Sequence, residues 1–477
     1  MSATASSSEL PVAVVGGGPV GLAAAAHLVT RGVPVKLYEA GETIAAHVRS
    51  WGHVRLFSPW GFTTDAASTA LLRAHGWQAP PDDVLPTGHD LIAAYLEPLA
   101  STPPMRAVIE TGARVQNVTR YGIDKVASKG RGDHPFALTI HQANGASRID
   151  LARAVIDASG TWANPNPASA SGTPAIGEVM FADRVSYGVP DVLGSDRATY
   201  AHQRVLVIGG GHSAANVLLD LARLAETDLR TSIIWAGRAA DLSRVFGGGS
   251  ADKLPARGKL GEDLRHLVEH GRLTLALGFS VERIDRRGDG LVISERTARN
   301  PRVLGPVDRI IVCTGQRPDL SMTRELRLDL DPWLESARAL GPMIDPNLHS
   351  CGTVPPHGYK QLSHPEPGYY AVGVKSYGRA PTFLMATGYE QVRSVAAALA
   401  GDIKAADEVR LVLPETGVCS VNIPGLQIEA GSGCCGGPAP VGVDACCVKD
   451  AEAKQVGKAG CGCGSKQTTA AEASMAS

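Results

Sequence analysis

Two stretches of this chain share one pattern of apolar and polar positions. The first, PVAVVGGGPVGLAAAAHLV, is an apolar run broken by glycines and continued as an alanine-rich segment, and VPVKLYEA follows it. The second, RVLVIGGGHSAANVLLDLARLA, repeats that order and is followed by TSIIWAGR. Short β-rich runs before the glycines predict buried strands, the glycines predict tight turns, and the apolar residues after them predict helices. The first stretch is long enough to be mistaken for a membrane span, but the glycines in its middle impose a turn instead. AVIDASGTW (154–162) and RIIVCTGQRPDL (309–320) read as strands ending in small-residue turns. PGYYAVGVKSYGRAPTFLMATGYEQVRSVAAAL reads as a strand, a loop around Gly373 and a helix.

The glycine spacing gives these patterns a chemistry. Gly16-x-Gly18-x-x-Gly21 stands between a strand and a helix, with Pro19 and Val20 at the helix start and Glu39 closing the next strand. Gly16 permits the turn, Gly18 lets the backbone approach a pyrophosphate, and Gly21 lets helix and strand pack closely. Phosphates favour the free N–H groups of such a helix N-terminus, and a glutamate about twenty residues on accepts from a ribose hydroxyl. Gly209-x-Gly211-x-x-Ala214 repeats the loop, with His212 and Ser213 inside it, and its following strand ends in Arg238. An arginine there pairs with a 2′-phosphate, which points to NADPH over NADH. A nicotinamide enzyme needs one such unit, whereas a flavoenzyme that takes hydride from a nicotinamide needs two. FAD is therefore expected at the first loop and NADPH at the second.

The expected fold class is α/β, with two Rossmann-like dinucleotide-binding domains and a Cys-rich C-terminal tail. The expected layout is an FAD domain over 10–165, an inserted NADPH domain over 166–310, the rest of the FAD domain over 311–415, and a flexible tail over 416–477. Arg49, Ser58, Val115, Ser159, Gly160, Gly315 and Gly373 complete the expected cofactor contacts. His27 lies inside the first helix and reads as packing rather than chemistry.

Composition narrows the partners. Lys and Arg number 46 against 47 Asp and Glu, so no global field favours nucleic acid or an anionic membrane. The N-terminus MSATASSSEL has neither a basic residue nor an apolar run of the secretory kind, so a cytoplasmic protein with reduced thiols is expected.

The loops GGGPVG and GGGHSAAN, with DASGTW and CTGQRPD, resemble the flavin-containing and Baeyer–Villiger type monooxygenases, a superfamily of FAD- and NAD(P)-dependent oxidoreductases, over residues 10–415. More narrowly, YGVPDVLG, GHSAANVLLDLA, DPNLHSCGTVPPHG and SYGRAPTFLMATGYEQVRSV resemble the flavin-dependent monooxygenase-like proteins of bacterial arsenic-resistance gene clusters. Where the superfamily carries a signature histidine before the second loop, this chain reads FADRVSYGVPDVLG and has none. The resemblance implies hydride transfer from NADPH to flavin and oxygen transfer to a small molecule, a soft nucleophile or a carbonyl. Residues expected on the flavin side are Arg49, His53, Arg55 and Ser58, and from the late loops His357, Lys375, Ser376, Tyr377 and Arg379. Of these, His357, Lys375, Tyr377 and Arg379 are the catalytic candidates. A thioredoxin-reductase-like relay needs a C-x-x-C beside the flavin, and the body's Cys313, Cys351 and Cys419 lie far apart in sequence.

The remaining cysteines form two vicinal pairs, Cys434–Cys435 and Cys446–Cys447, and a C-x-C, Cys461–Cys463. Their Gly-, Ala-, Lys- and Ser-rich surroundings bury too little apolar surface to offset chain entropy. The spacing does not suit a zinc finger, whereas thiolates on a flexible chain suit soft ions such as trivalent arsenic, Cu(I) or Cd(II). Three readings stay open. The tail captures a metal or metalloid for an enzyme of monooxygenase type, it serves a flavin reductase as a swinging redox dithiol, or the protein is a metalloid-binding flavoprotein without catalysis.

Overall fold

The computed structural model describes residues 9–246, 255–296, 300–349 and 354–413. Sixteen strands occur there. They are β1 (Val12–Val15), β2 (Val35–Tyr38), β3 (Ile109–Glu110), β4 (Ala113–Arg120), β5 (Phe136–Gln142), β6 (Ser147–Ala152), β7 (Ala154–Asp157) and β8 (Val185–Tyr187). The second half of the chain adds β9 (Arg204–Ile208), β10 (Ser232–Gly237), β11 (Thr274–Leu277), β12 (Val281–Arg287), β13 (Gly290–Glu295), β14 (Val303–Val307), β15 (Arg309–Val312) and β16 (Tyr369–Ala371).

Each glycine motif leaves the middle of its own parallel sheet. The first sheet has the order β16-β7-β1-β2-β3 and the second β11-β10-β9-β15-β8. In the first, β1 pairs in parallel with β2 on one side and β7 on the other; in the second, β9 is flanked likewise by β10 and β15. The strand order reverses at β1 and at β9, and such a switch point opens a crevice at the carboxyl ends of the strands. Every residue of β1 is buried, as a strand covered on both faces requires.

The helices follow from their sequences. Pro19–Thr30 starts with proline at its first position, where no N–H is needed, and is buried from Gly21 through Leu28. Its alanines let it pack closely against the helix Met385–Leu399, which is itself buried from Thr387 to Ala397. His27 packs inside as expected and gains a partner, with Nε2 at 2.9 Å from Asp65 Oδ1. His212–Thr227 is amphipathic and buries Ala214, Val217, Leu218, Leu221 and Leu224 on one face.

Two antiparallel three-stranded sheets, β4-β5-β6 and β12-β13-β14, lie beside the parallel ones. The former is tied to the late chain by Glu366, whose carboxylate accepts from Arg120 Nε at 2.8 Å and Arg131 Nη2 at 2.8 Å. Among the described residues no helix is long and apolar enough to cross a membrane.

Candidate functional site

The two glycine loops are built alike. Gly16 has φ +100°, and a Cβ there would stand 2.7 Å from the carbonyl oxygen of Ala158, just past β7. Gly209 has φ +146°, and its Cβ would collide with the carbonyl of Cys313, just past β15. The first glycine of each motif thus lets the loop turn against the neighbouring strand's exit. The second glycine has the opposite surroundings, since a Cβ on Gly18 or Gly211 meets nothing within 4 Å. Open space at that position is what an approaching pyrophosphate requires. Gly21 closes the first loop, for its Cβ would run into the carbonyl oxygen of Gly16. Pro19, Val20, His212 and Ser213 begin the two helices, and Ala214 is fully buried in the third-glycine place.

Glu39 stands where β2 ends. Its carboxylate accepts from Gly17 N at 2.6 Å and from Gly41 N at 2.7 Å, clamping the glycine loop to the turn beyond β2. A carboxylate offers about four acceptor sites, so two remain for a ribose. Arg238 follows β10 and is exposed. Val115 lies buried in β4, two residues after Ala113, whose N–H donates to the Glu39 carbonyl at 2.9 Å.

The segment 51–58 spans both sheets. Trp51 meets Trp162 at 6.4 Å, Phe57 meets His212 edge-on at 5.2 Å, and Val54 packs with Phe57 on the second core. His53 buries its Nε2 without a hydrogen-bond partner, and Ser58 is half-buried on the same segment. Arg49 is exposed, with Nη2 donating to Glu97 at 2.5 Å and Nε to Thr43 Oγ1 at 3.1 Å, and Arg55 donates to the Leu85 carbonyl at 2.8 Å.

The late loop comes back over the first glycine loop. Gly373 has φ +67° and sits against Val20, and its N–H donates to Gln391 Oε1 at 2.8 Å. Val374 beside it is partly exposed and faces Gly160, where the first crossing chain leaves β7. The second crossing returns at Gly315, whose carbonyl accepts from Asn166 N at 2.9 Å. Ser159 and Gly315 therefore mark the two chains that join the sheets.

The four catalytic candidates differ in exposure and in partners. His357 and Lys375 are each 4% exposed and Tyr377 0%. His357 is locked by its neighbours: its Nδ1–H donates to the Pro355 carbonyl at 2.9 Å, and Gln391 Nε2 donates to its Nε2 at 2.9 Å. Burial holds its pKa below the usual histidine value. Tyr377 packs its ring on His357 and Phe383. Lys375 Nζ lies 2.7 Å from Asp157 Oδ2 and donates to Ser159 Oγ at 2.9 Å. Arg379 is exposed and pairs with Glu335 at 3.0 Å. The first three are buried, and the fourth is on the surface. The roles of Asp157 and Gln391 as hydrogen-bond partners of this loop were not legible, because each partner is far off in sequence. A small cavity of about 10 Å³ beside Lys375 has room for about one water.

Among the described residues no cluster of three or more histidine, cysteine or acidic side chains forms a metal site. The expected ligands Cys434, Cys435, Cys446, Cys447, Cys461 and Cys463 lie outside the described residues, as do Cys351 and Cys419. Cys313 is buried with its thiol on the Gly188 carbonyl at 3.2 Å, and burial pushes its pKa up to about 12.

Two glycine loops at two switch points, with Glu39 after the strand that follows the first and Arg238 after the strand that follows the second, are what an oxidoreductase working with two dinucleotides requires. The family profile "Pyridine nucleotide-disulphide oxidoreductase" matches residues 13–337. The chain belongs to that family and is an FAD-dependent oxidoreductase that uses a nicotinamide dinucleotide. Its fold is similar to bacillithiol disulfide reductase from Bacillus cereus, at 18% identity and TM-score 0.59, over 82% of this chain and 99% of that one. It is also similar to the FAD-bound cadaverine monooxygenase of Erwinia amylovora, at 12% identity and TM-score 0.59, over 87% and 99%. Ornithine hydroxylase from Pseudomonas aeruginosa aligns at 18% identity and TM-score 0.55, over 83% and 99%. Among curated proteins no sequence matches the chain.

Proposed function

We propose that the protein is an NADPH-dependent flavin monooxygenase whose tail binds a soft metal or metalloid ion, acting in arsenic resistance. FAD occupies the first loop, with its pyrophosphate over Gly18 and a ribose on Glu39, and NADPH occupies the second, with its 2′-phosphate on Arg238. The observation that carries this reading is the pair of loops alike in backbone and opposite in the charge that closes them. FAD supplies the hydride acceptor and the reaction with oxygen; the chain binds, orients and excludes water.

Oxygen is favoured over a disulfide as acceptor by the cysteine distribution. No C-x-x-C occurs in the sequence, and Cys313 is an un-ionised thiol turned onto a backbone carbonyl. The tail reading rests on the sequence: vicinal and C-x-C thiols suit trivalent arsenic, Cu(I) or Cd(II). NADPH consumption by the purified full chain tests the proposal, with small nucleophiles and arsenite as substrates and peroxide measured alongside. Consumption coupled to an oxygenated product supports it. Turnover that needs a disulfide acceptor and the tail cysteines overturns it in favour of a redox dithiol.

A further inference from the structure

Lys375 is a buried cation more than two hundred residues from its partners in sequence. Its side chain is 3% exposed and that of Asp157 0%. Two charges are taken out of water only where their mutual contact is close and the remaining polar atoms are satisfied. Here they are. Asp157 Oδ2 accepts from Lys375 Nζ at 2.7 Å and from Tyr369 Oη at 3.0 Å. Asp157 Oδ1 accepts from Ser159 N at 3.1 Å and Ser159 Oγ at 2.7 Å. Lys375 closes the ring by donating to Ser159 Oγ.

The place of this ring decides what it does. Asp157 ends β7 and Tyr369 starts β16, which are paired neighbours in the first sheet. The residues that follow each strand form the walls around the first glycine loop. On one side Ala158 and Ser159 lie against Gly16; on the other Gly373 lies against Val20. The backbone hydrogen bonds between β7 and β16 end with Val372 N on the Asp157 carbonyl, before both walls, and beyond that point Lys375 ties one wall to the other by hydrogen bonds while Val374 faces Gly160. Asp319, on the chain returning from the second sheet, also feels the Lys375 charge.

We infer that Lys375 is a positioning residue: through Asp157 and Ser159 it holds the two walls of the first glycine loop at the separation FAD binding requires. This rests on the assignment of FAD to that loop. Lys375 touches no cofactor in this account, and its effect passes through the backbone of 158–160 and 373–374.

A purely stabilising ion pair and a positioning one respond differently to removal of both charges. Replacing one partner leaves a buried charge uncompensated and destabilises the chain, whereas replacing both restores most of the stability. The test uses the full chain freed of flavin, as wild type, Asp157→Asn, Lys375→Met and the double variant Asp157→Asn/Lys375→Met. Thermal unfolding without flavin and FAD affinity by fluorescence titration are measured for each. The expected result is a double variant that unfolds near the wild-type temperature yet binds FAD at least tenfold more weakly, with faster protease cleavage within 158–160 or 373–377. Asp157→Asn keeps the size of the side chain and an oxygen for Ser159, and it too is expected to weaken FAD severalfold. Wild-type affinity in either of these two variants overturns the inference and leaves the pair as a stabilising contact. A wild-type chain that takes up no FAD instead overturns the assignment of the loop itself.

Discussion

Gly18 and Gly21 stand three positions apart in one loop and should answer to substitution in opposite ways. Gly18 has φ −80° and open space where a Cβ would go, so Gly18→Val is expected to fold and unfold like wild type but to purify without flavin. Gly21→Val drives its side chain into the Gly16 carbonyl and is expected to lower the unfolding temperature with or without flavin. Absorbance of the purified variants and thermal unfolding distinguish the two. Flavin retained at full stoichiometry in Gly18→Val would remove the first loop from the cofactor site. At the second loop, Arg238→Ala is expected to raise KM for NADPH roughly ten- to a hundred-fold, the value of about 1.5–3 kcal/mol for a charge-assisted contact, and to leave KM for NADH nearly unchanged. Equal effects on both would show that Arg238 does not read the 2′-phosphate. The turn geometry of the glycines and the place of Arg238 after a strand were legible in the sequence because they are local and follow from a few neighbours. Lys375, His357 and Tyr377 drew attention for their chemistry, but their burial depends on β7, β16 and a helix that are remote in sequence.

At the level of elements, the late strand, loop and helix bury neutral polar groups beside their charged ones. Gln391 offers its carbonyl to Gly373 and its amide N–H to His357, so a proton added at His357 Nε2 would face a donor. His364 is likewise held below the usual histidine value by burial. A histidine with a depressed folded pKa binds protons more readily when unfolded. Stability is therefore fully present above the unfolded value, near 6.5, and declines as pH falls from there toward the folded value. The urea midpoint is expected to fall between about pH 7 and 5, and His357→Gln is expected to flatten that slope. An unchanged slope in His357→Gln would show that His357 does not titrate on unfolding. The strand, loop and helix of this element were legible from apolar runs and Gly373. The Glu390–Arg393 pair inside the helix was not, because polar residues on a fully buried helix break the one-sided pattern that sequence reading relies on.

For the whole molecule, the repeated glycine motif made the class of fold legible before any contact was known, because each motif implies a strand on either side and a helix between. The two antiparallel sheets were not anticipated, since short alternating strands such as β4 and β12 carry weak signals. Both glycine loops, both parallel sheets and their cores lie within residues 9–413. Truncation after residue 416 is therefore expected to leave flavin content and basal NADPH oxidation close to those of the full chain. The same truncation, or serine at Cys434, Cys435, Cys446 and Cys447, is expected to remove most binding of arsenite or Cu(I). Intact metalloid binding by the truncated chain would contradict capture by the tail. Lost turnover with retained flavin would make the tail a redox arm. The claim on which the rest depends is that one chain brings FAD and NADPH together, and the visible flavin band tests it most directly. Purified full-length protein should be yellow, should bleach on anaerobic addition of NADPH faster than with NADH, and should recover its colour when air is admitted. A protein that stays colourless with added FAD, or a flavin band that NADPH leaves unchanged, would contradict it.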